Sequence, residues 1–146
     1  MIDLYIILDW SGSMKESDKY FAESYLLRTA EYLLHTERYG DFRMQRLFWN
    51  EQVSSQQGGG PSGSAVTEVL AEFMREHPGR YLLASDGSFE YGACLHMPEA
   101  RVLPVAVGLD ADSKSLQRIS SFSHQVFSPE ELPAALNLLC FGGAGV

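Results

Sequence analysis

Leu4-Tyr5-Ile6-Ile7-Leu8, followed at once by Asp9-Trp10-Ser11-Gly12-Ser13, decides the fold of this chain. Five consecutive apolar residues need cover on both faces, which describes a strand inside a parallel sheet rather than a half-exposed one. The polar, glycine-bearing turn that ends the run repeats further on. Residues 81–84 are apolar and give way to Ser85-Asp86-Gly87-Ser88, and 102–107 form a third such run. Between these strands the spacing changes from continuous to helical. Phe21, Leu26, Leu27, Ala30, Leu33 and Leu34 mark one helix, with Ser17 or Asp18 as its cap and Gly40 beyond its end. Val66, Val69, Leu70, Phe73 and Met74 mark a second, which stops before Pro78-Gly79.

The remaining segments complete the pattern. Residues 43–48 read as a strand, and 51–54 as a short antiparallel partner at the sheet edge. Gly58-Gly59-Gly60-Pro61 belongs to a loop over 56–63. Residues 112–120 read as helix and 125–127 as a short strand. Ser128, Pro129 and Glu131 then carry a capping-box signature for the last helix. Strands alternating with helices predict an α/β fold: an open, mostly parallel sheet of Rossmann-like type, helices on both faces, and one short antiparallel edge strand. The 146 residues are enough for one core, so residues 1–141 are expected to be a single domain and 142–146 a flexible tail.

Composition narrows the function. Eleven Lys and Arg against nineteen Asp and Glu give a net charge of −8, the wrong sign for holding a phosphate backbone, so no nucleic-acid partner is expected. No basic leader precedes Ile2, and the first apolar run ends at Asp9, too short for a signal segment or a membrane span. Cys94 and Cys140 lack metal-site spacing and read as reduced, mostly buried thiols. The expectation is a cytoplasmic protein with no membrane partner. The four histidines, 35, 77, 96 and 124, are scattered.

Ligands of open parallel sheets bind beyond the carboxyl ends of the strands. The oxygen-bearing side chains gather there: Asp9, Ser11 and Ser13 after the first strand, Ser62 and Ser64 before the second helix, and Asp86 after the fourth strand. A donor set of hydroxyls and two carboxylates suits a hard cation, Mg²⁺ or Mn²⁺, rather than zinc or copper.

Asp9-Trp10-Ser11-Gly12-Ser13-Met14 resembles the D-x-S-G-S-M signature of von Willebrand factor A (VWA) domains, where it builds most of the metal-ion-dependent adhesion site, or MIDAS. Residues 80–88 resemble that family's strand ending in T-D-G, residues 102–109 its next strand, and 116–136 its closing helix–strand–helix. The resemblance implies that Ser11 and Ser13 bind the metal through their hydroxyls, with Asp9 and Asp86 behind them through water. The family's third ligand is a Thr in a G-G-T loop. Here Gly63-Ser64 falls in that place, Ser62 competes for it, and Thr67 is expected one turn too deep. A Ser supplies the same hydroxyl without the methyl that fixes a Thr rotamer.

A cation with an open coordination position is completed, in that family, by an Asp or Glu of a partner protein. The expectation is therefore a metal-dependent protein-interaction module, not an enzyme. The resemblance is to compact intracellular bacterial members, whose contexts include adaptors of MoxR-type AAA+ ATPases and stress or defence systems. Ser62, Gly87, Ser88 and Phe89, with Glu90 and Tyr91 beyond, are the candidate partner contacts. Trp10 either rims that face or packs against a helix. Two rival readings stand beside this one. One is a VWA-fold structural subunit with a vestigial site. The other is a Mg²⁺-dependent hydrolase or phosphotransferase, disfavoured because position 11 is Ser rather than a second Asp, no P-loop is present, and only Lys15 stands near the turns as a cation.

Overall fold

The computed structural model describes residues 1–89 and 95–142. Its strands are β1 (Ile2–Asp9), β2 (Phe42–Trp49), β3 (Val53–Ser54), β4 (Gly79–Ser85) and β5 (Ala100–Ala106), and its helices α1 (Lys19–Leu34), α2 (Thr67–Glu76), α3 (Ser113–Ile119) and α4 (Leu132–Phe141). The opening apolar run is the central strand, with sheet order β3-β2-β1-β4-β5. β1 pairs in parallel with β2 and β4, and β4 with β5, whereas β3 runs antiparallel to β2. Chain order reverses direction at β1, so its carboxyl end lies at the switch point where such sheets open a crevice.

Alternation along the strands divides the core in two. Leu4, Ile6, Leu8, Leu82, Ala84, Leu103 and Val105 bury one face with Leu26, Leu27 and Ala30 of α1 and Leu132, Leu136 and Leu139 of α4. Tyr5, Ile7, Tyr81, Leu83 and Val102 bury the other with Leu70 and Met74 of α2 and Leu116 and Ile119 of α3. Helices thus cover both faces of a mostly parallel sheet, as the periodicity required. Among the described residues no helix is long and apolar enough to cross a membrane.

Three local expectations are revised. Residues 125–127 form no full strand: Val105 and Phe127 make a single parallel bridge. The chain reaches it from left-handed Ser123 and His124 and leaves it at the Ser128 cap, so too few extended residues remain to pair. That outer edge of β5 also carries Pro104, whose carbonyl accepts from Phe127 and whose missing N–H therefore costs no ladder bond. Phe21 is 59% exposed, not part of the buried stripe of α1. The helix begins at Lys19, and Asp18 at its cap position is left-handed and makes no capping bond. The last helix starts as expected: Ser128 and Glu131 form a capping box around Pro129, in a 3₁₀ turn (Pro129–Glu131) leading into α4. Cys140 is buried, which pushes its thiol up to about 12. Cys94, Glu90, Tyr91 and residues 143–146 of the expected tail lie outside the described residues.

Candidate metal centre at the carboxyl edge of the sheet

Asp9 is the last residue of β1 and is fully buried. Its Oδ1 accepts from the Ser11 backbone N–H at 3.0 Å and from the Ser11 hydroxyl at 2.6 Å, and its Oδ2 accepts from the Ser85 hydroxyl at 2.6 Å. Burial pushes its pKa up to about 6; the bonds from Ser11 and Ser85 hold it back, and the nearby Asp86 adds to the rise. A hydroxyl that gives its proton to a carboxylate keeps its lone pairs for another partner. Ser11 is such a hydroxyl, and its oxygen stands 3.4 Å from that of Ser13. Adjacent ligands of an octahedral Mg²⁺ are about 3 Å apart, given bonds of about 2.1 Å, so these two oxygens need to move only tenths of an ångström to share a cation.

Both hydroxyls open into a cavity of about 480 Å³ whose walls include Ser64, Thr67, Glu68, Ser88 and Phe89. The opposite wall is strapped to the first turn by the backbone: Gly12 N–H donates to Gly63 O at 2.8 Å and Ser62 N–H to Trp10 O at 2.9 Å. Ser64 is exposed on that loop, while Thr67, the first residue of α2, is buried and lines the same cavity. Ser64 and Thr67 thus both border the cavity, Ser64 from the exposed loop and Thr67 from the buried first turn of α2. Ser62 is exposed and is not among the residues lining the cavity.

Of the two places open to Trp10, the structure gives the buried one. It is 3% exposed, donates its ring N–H to Gly59 O, and meets Tyr20 and Phe48 edge-on. Ser88 and Phe89 do border the cavity, with the Phe89 ring against Trp49. Gly87 is buried and left-handed, and a Cβ there would lie 2.6 Å from the Asp112 carbonyl of the loop after β5, so only glycine fits.

The largest departure from the expected arrangement is at Asp86. Its Oδ1 accepts the Ser88 N–H at 3.0 Å, and its Oδ2 is 3.0 Å from the ammonium of Lys19. Lys19 is 4% exposed and also reaches Asp110 at 3.0 Å. Burial opposes the charge on Lys19, yet the two carboxylates outweigh it and raise its pKa. Lys19, rather than Lys15 alone, is thus a cation of this region, with Asp110 as its outer partner. Asp112 does start α3, accepting the Ser115 N–H at 3.2 Å. One turn along from Lys19, Glu23 is fully buried, and among the described residues neither carboxylate oxygen makes a hydrogen bond. Burial, and then repulsion from Asp9 and Asp86, push its pKa well above the usual range.

Lys19 and Glu23 were missed although a signal existed. They continue the buried stripe of Leu26, Leu27 and Ala30 backwards at helical spacing, and polar residues on a core-facing stripe are the informative ones. Among the described residues, no three His, Cys, Asp or Glu side chains gather to hold a metal. The donor set that fits a cation is the hydroxyl set, with Asp9 accepting behind it.

No family model matches the sequence, and no curated protein matches it. Solved structures do. The chain superposes on proximal thread matrix protein 1 (PTMP1) from the mussel byssus with a TM-score of 0.71 at 14% identity, over 94% of this chain and 46% of that one. A second crystal form gives 0.67 at 16% identity, over 95% and 47%. A structure of PTMP1 with a zinc-occupied MIDAS motif gives 0.64 at 16% identity, over 95% and 47%. The chain has a VWA-like fold and spans about half the length of these neighbours, which are matrix proteins.

Proposed function

We propose that this chain is a metal-dependent protein-interaction module. Its cation is held by the hydroxyls of Ser11 and Ser13 and by Ser64, with Thr67 as the alternative third ligand. Asp9 and Asp86 lie behind, reaching the ion through water. The observation that carries this reading is the pair of hydroxyls 3.4 Å apart at the floor of an open cavity, one of them already donating to a fully buried aspartate. When bound, a divalent ion supplies a positive centre with an open position for a carboxylate. The chain's own residues do the rest. Ser11 and Ser13 set the place, Asp9 orients Ser11 by accepting its proton, and Ser88 and Phe89 border the mouth through which an Asp or Glu of a partner protein enters.

Mg²⁺ or Mn²⁺ is the proposed ion because every donor is oxygen. The zinc in the PTMP1 site makes Zn²⁺ the control to include. The resemblance to compact bacterial VWA proteins puts forward a cytoplasmic setting, with a MoxR-type AAA+ ATPase as the first partner to test. A second reading, a structural subunit without a resident metal, is favoured by one observation: the Lys19 ammonium already neutralises Asp86.

Calorimetric titration of Mg²⁺, Mn²⁺ and Zn²⁺ into chelator-treated protein tests the proposal. Saturable binding is expected for wild type, lost in Ser11→Ala and weakened about tenfold in Ser64→Ala, as for a lost oxygen ligand. If Thr67→Val has the larger effect, the third ligand is Thr67. Heat changes identical in wild type and Ser11→Ala would leave the structural reading in place.

A further inference from the structure

We infer that Lys19 is a built-in counter-cation that weakens the site's hold on its metal and strengthens the loaded site's hold on an acidic partner. The inference rests on the metal-binding reading above. Its basis is how much of the local fold is committed to seating one lysine. Ser17 and Asp18 are both left-handed, at φ of 52° and 54°, an arrangement unfavourable for side-chain-bearing residues. This double turn starts α1 at Lys19, and helix side chains lean back toward the amino terminus, here toward the sheet edge. Gly108 gives room for the stem: it is left-handed at φ +95°, and a Cβ there would lie 2.9 Å from the Lys19 Cε. The ammonium ends 3.0 Å from Asp86 and 3.0 Å from Asp110.

The consequence follows from charge. A divalent ion facing Asp9 and Asp86 alone would be formally neutralised, leaving little field for a third carboxylate. Counted over the ion, Asp9, Asp86 and Lys19, the loaded site keeps one positive charge; Glu68 on the cavity wall is exposed and screened by water. Metal binding then works against a fixed like charge, while a partner's Asp or Glu gains from it. Asp110 offsets this only in part, being 67% exposed and screened by water. The two affinities are therefore set in opposite directions by one side chain. A residue that merely held the fold would move them together.

The experiment measures both. Mg²⁺ and Mn²⁺ affinities are taken by calorimetry for wild type, Lys19→Met, Lys19→Arg and Asp110→Asn. Affinity for a capped peptide carrying a single glutamate is then taken at saturating metal. For K19M the metal is expected to bind about tenfold tighter and the peptide several-fold weaker, a size typical of one nearby charge. K19R should stay close to wild type in both. D110N, an exposed change that spares the core, should move both the other way by about two- to threefold, and it decides the matter if K19M fails to fold. Metal binding by K19M but not by wild type also supports the inference. Both affinities falling together in K19M, or D110N leaving both unchanged, overturns it while the metal site stands. Absence of metal binding in wild type and in every variant overturns the metal reading and this inference together.

Discussion

At the scale of single residues, Asp9 carries the sharpest expectation. Its carboxyl is raised from an ordinary 3.8 to about 6 because it is buried, against the pull of Ser11 and Ser85. A native pKa above the unfolded one means the folded chain holds this proton more tightly. The stabilisation is therefore complete below about pH 4 and lost as pH rises through about 6. The shift corresponds to about 3 kcal/mol. Thermal melts of metal-free wild type and Asp9→Asn should give similar midpoints at pH 3.5. At pH 7.5 the Asn variant should be the more stable of the two. A gap that does not change with pH would show that Asp9 titrates normally.

At the scale of elements, α1 is the one that departs from a simple amphipathic helix. Its buried stripe runs Lys19, Glu23, Leu26, Leu27 and Ala30, so its first two turns bring charge against the sheet edge while its last two bring hydrocarbon. Lys19 finds two carboxylates, but among the described residues Glu23 finds no hydrogen-bond partner for either oxygen. An unsatisfied buried polar group costs about 1–3 kcal/mol, and an apolar residue of similar length removes that cost. Glu23→Met is therefore expected to raise the unfolding free energy of the metal-free protein by about 1–2 kcal/mol in urea, with an unchanged m-value. A destabilised Glu23→Met would mean that the carboxyl is serving a partner such as a buried water. The helix was legible from its apolar spacing. Its charged half was not, because Phe21 offered a plausible apolar anchor and periodicity alone cannot choose between it and Glu23.

At the scale of the whole molecule, the site is assembled from segments far apart in the chain: the end of β1, the loop before α2 and the turn after β4, closed from outside by the loop after β5. A cation that joins three such segments binds only the folded state. It should raise stability by about 2.7 kcal/mol at one hundred times its Kd. For a chain of this size that amounts to a Tm increase of about 5–10 °C, reversed by chelator. The same metal-dependent shift in Ser11→Ala would place the stabilising ion elsewhere.

The sequence by itself determined the layer architecture, because continuously apolar strands alternating with helical stripes admit only a sheet covered on both faces. It also determined that Asp9, Ser11, Ser13 and Asp86 belong to one edge, since polar turns after parallel strands all end on that side. Only the tertiary structure decided what meets across that edge. Trp10 packs inward, where Tyr20 of α1 and Phe48 meet its ring edge-on and the Gly59 carbonyl accepts its N–H. Thr67 reaches the cavity because the loop before α2 is pinned to the first turn through Gly63 and Ser62. Lys19 sits 67 positions from Asp86 in the chain, yet the two are 3.0 Å apart. No local pattern encodes such a pair; it follows from the turn that aims α1 and from the space left at Gly108.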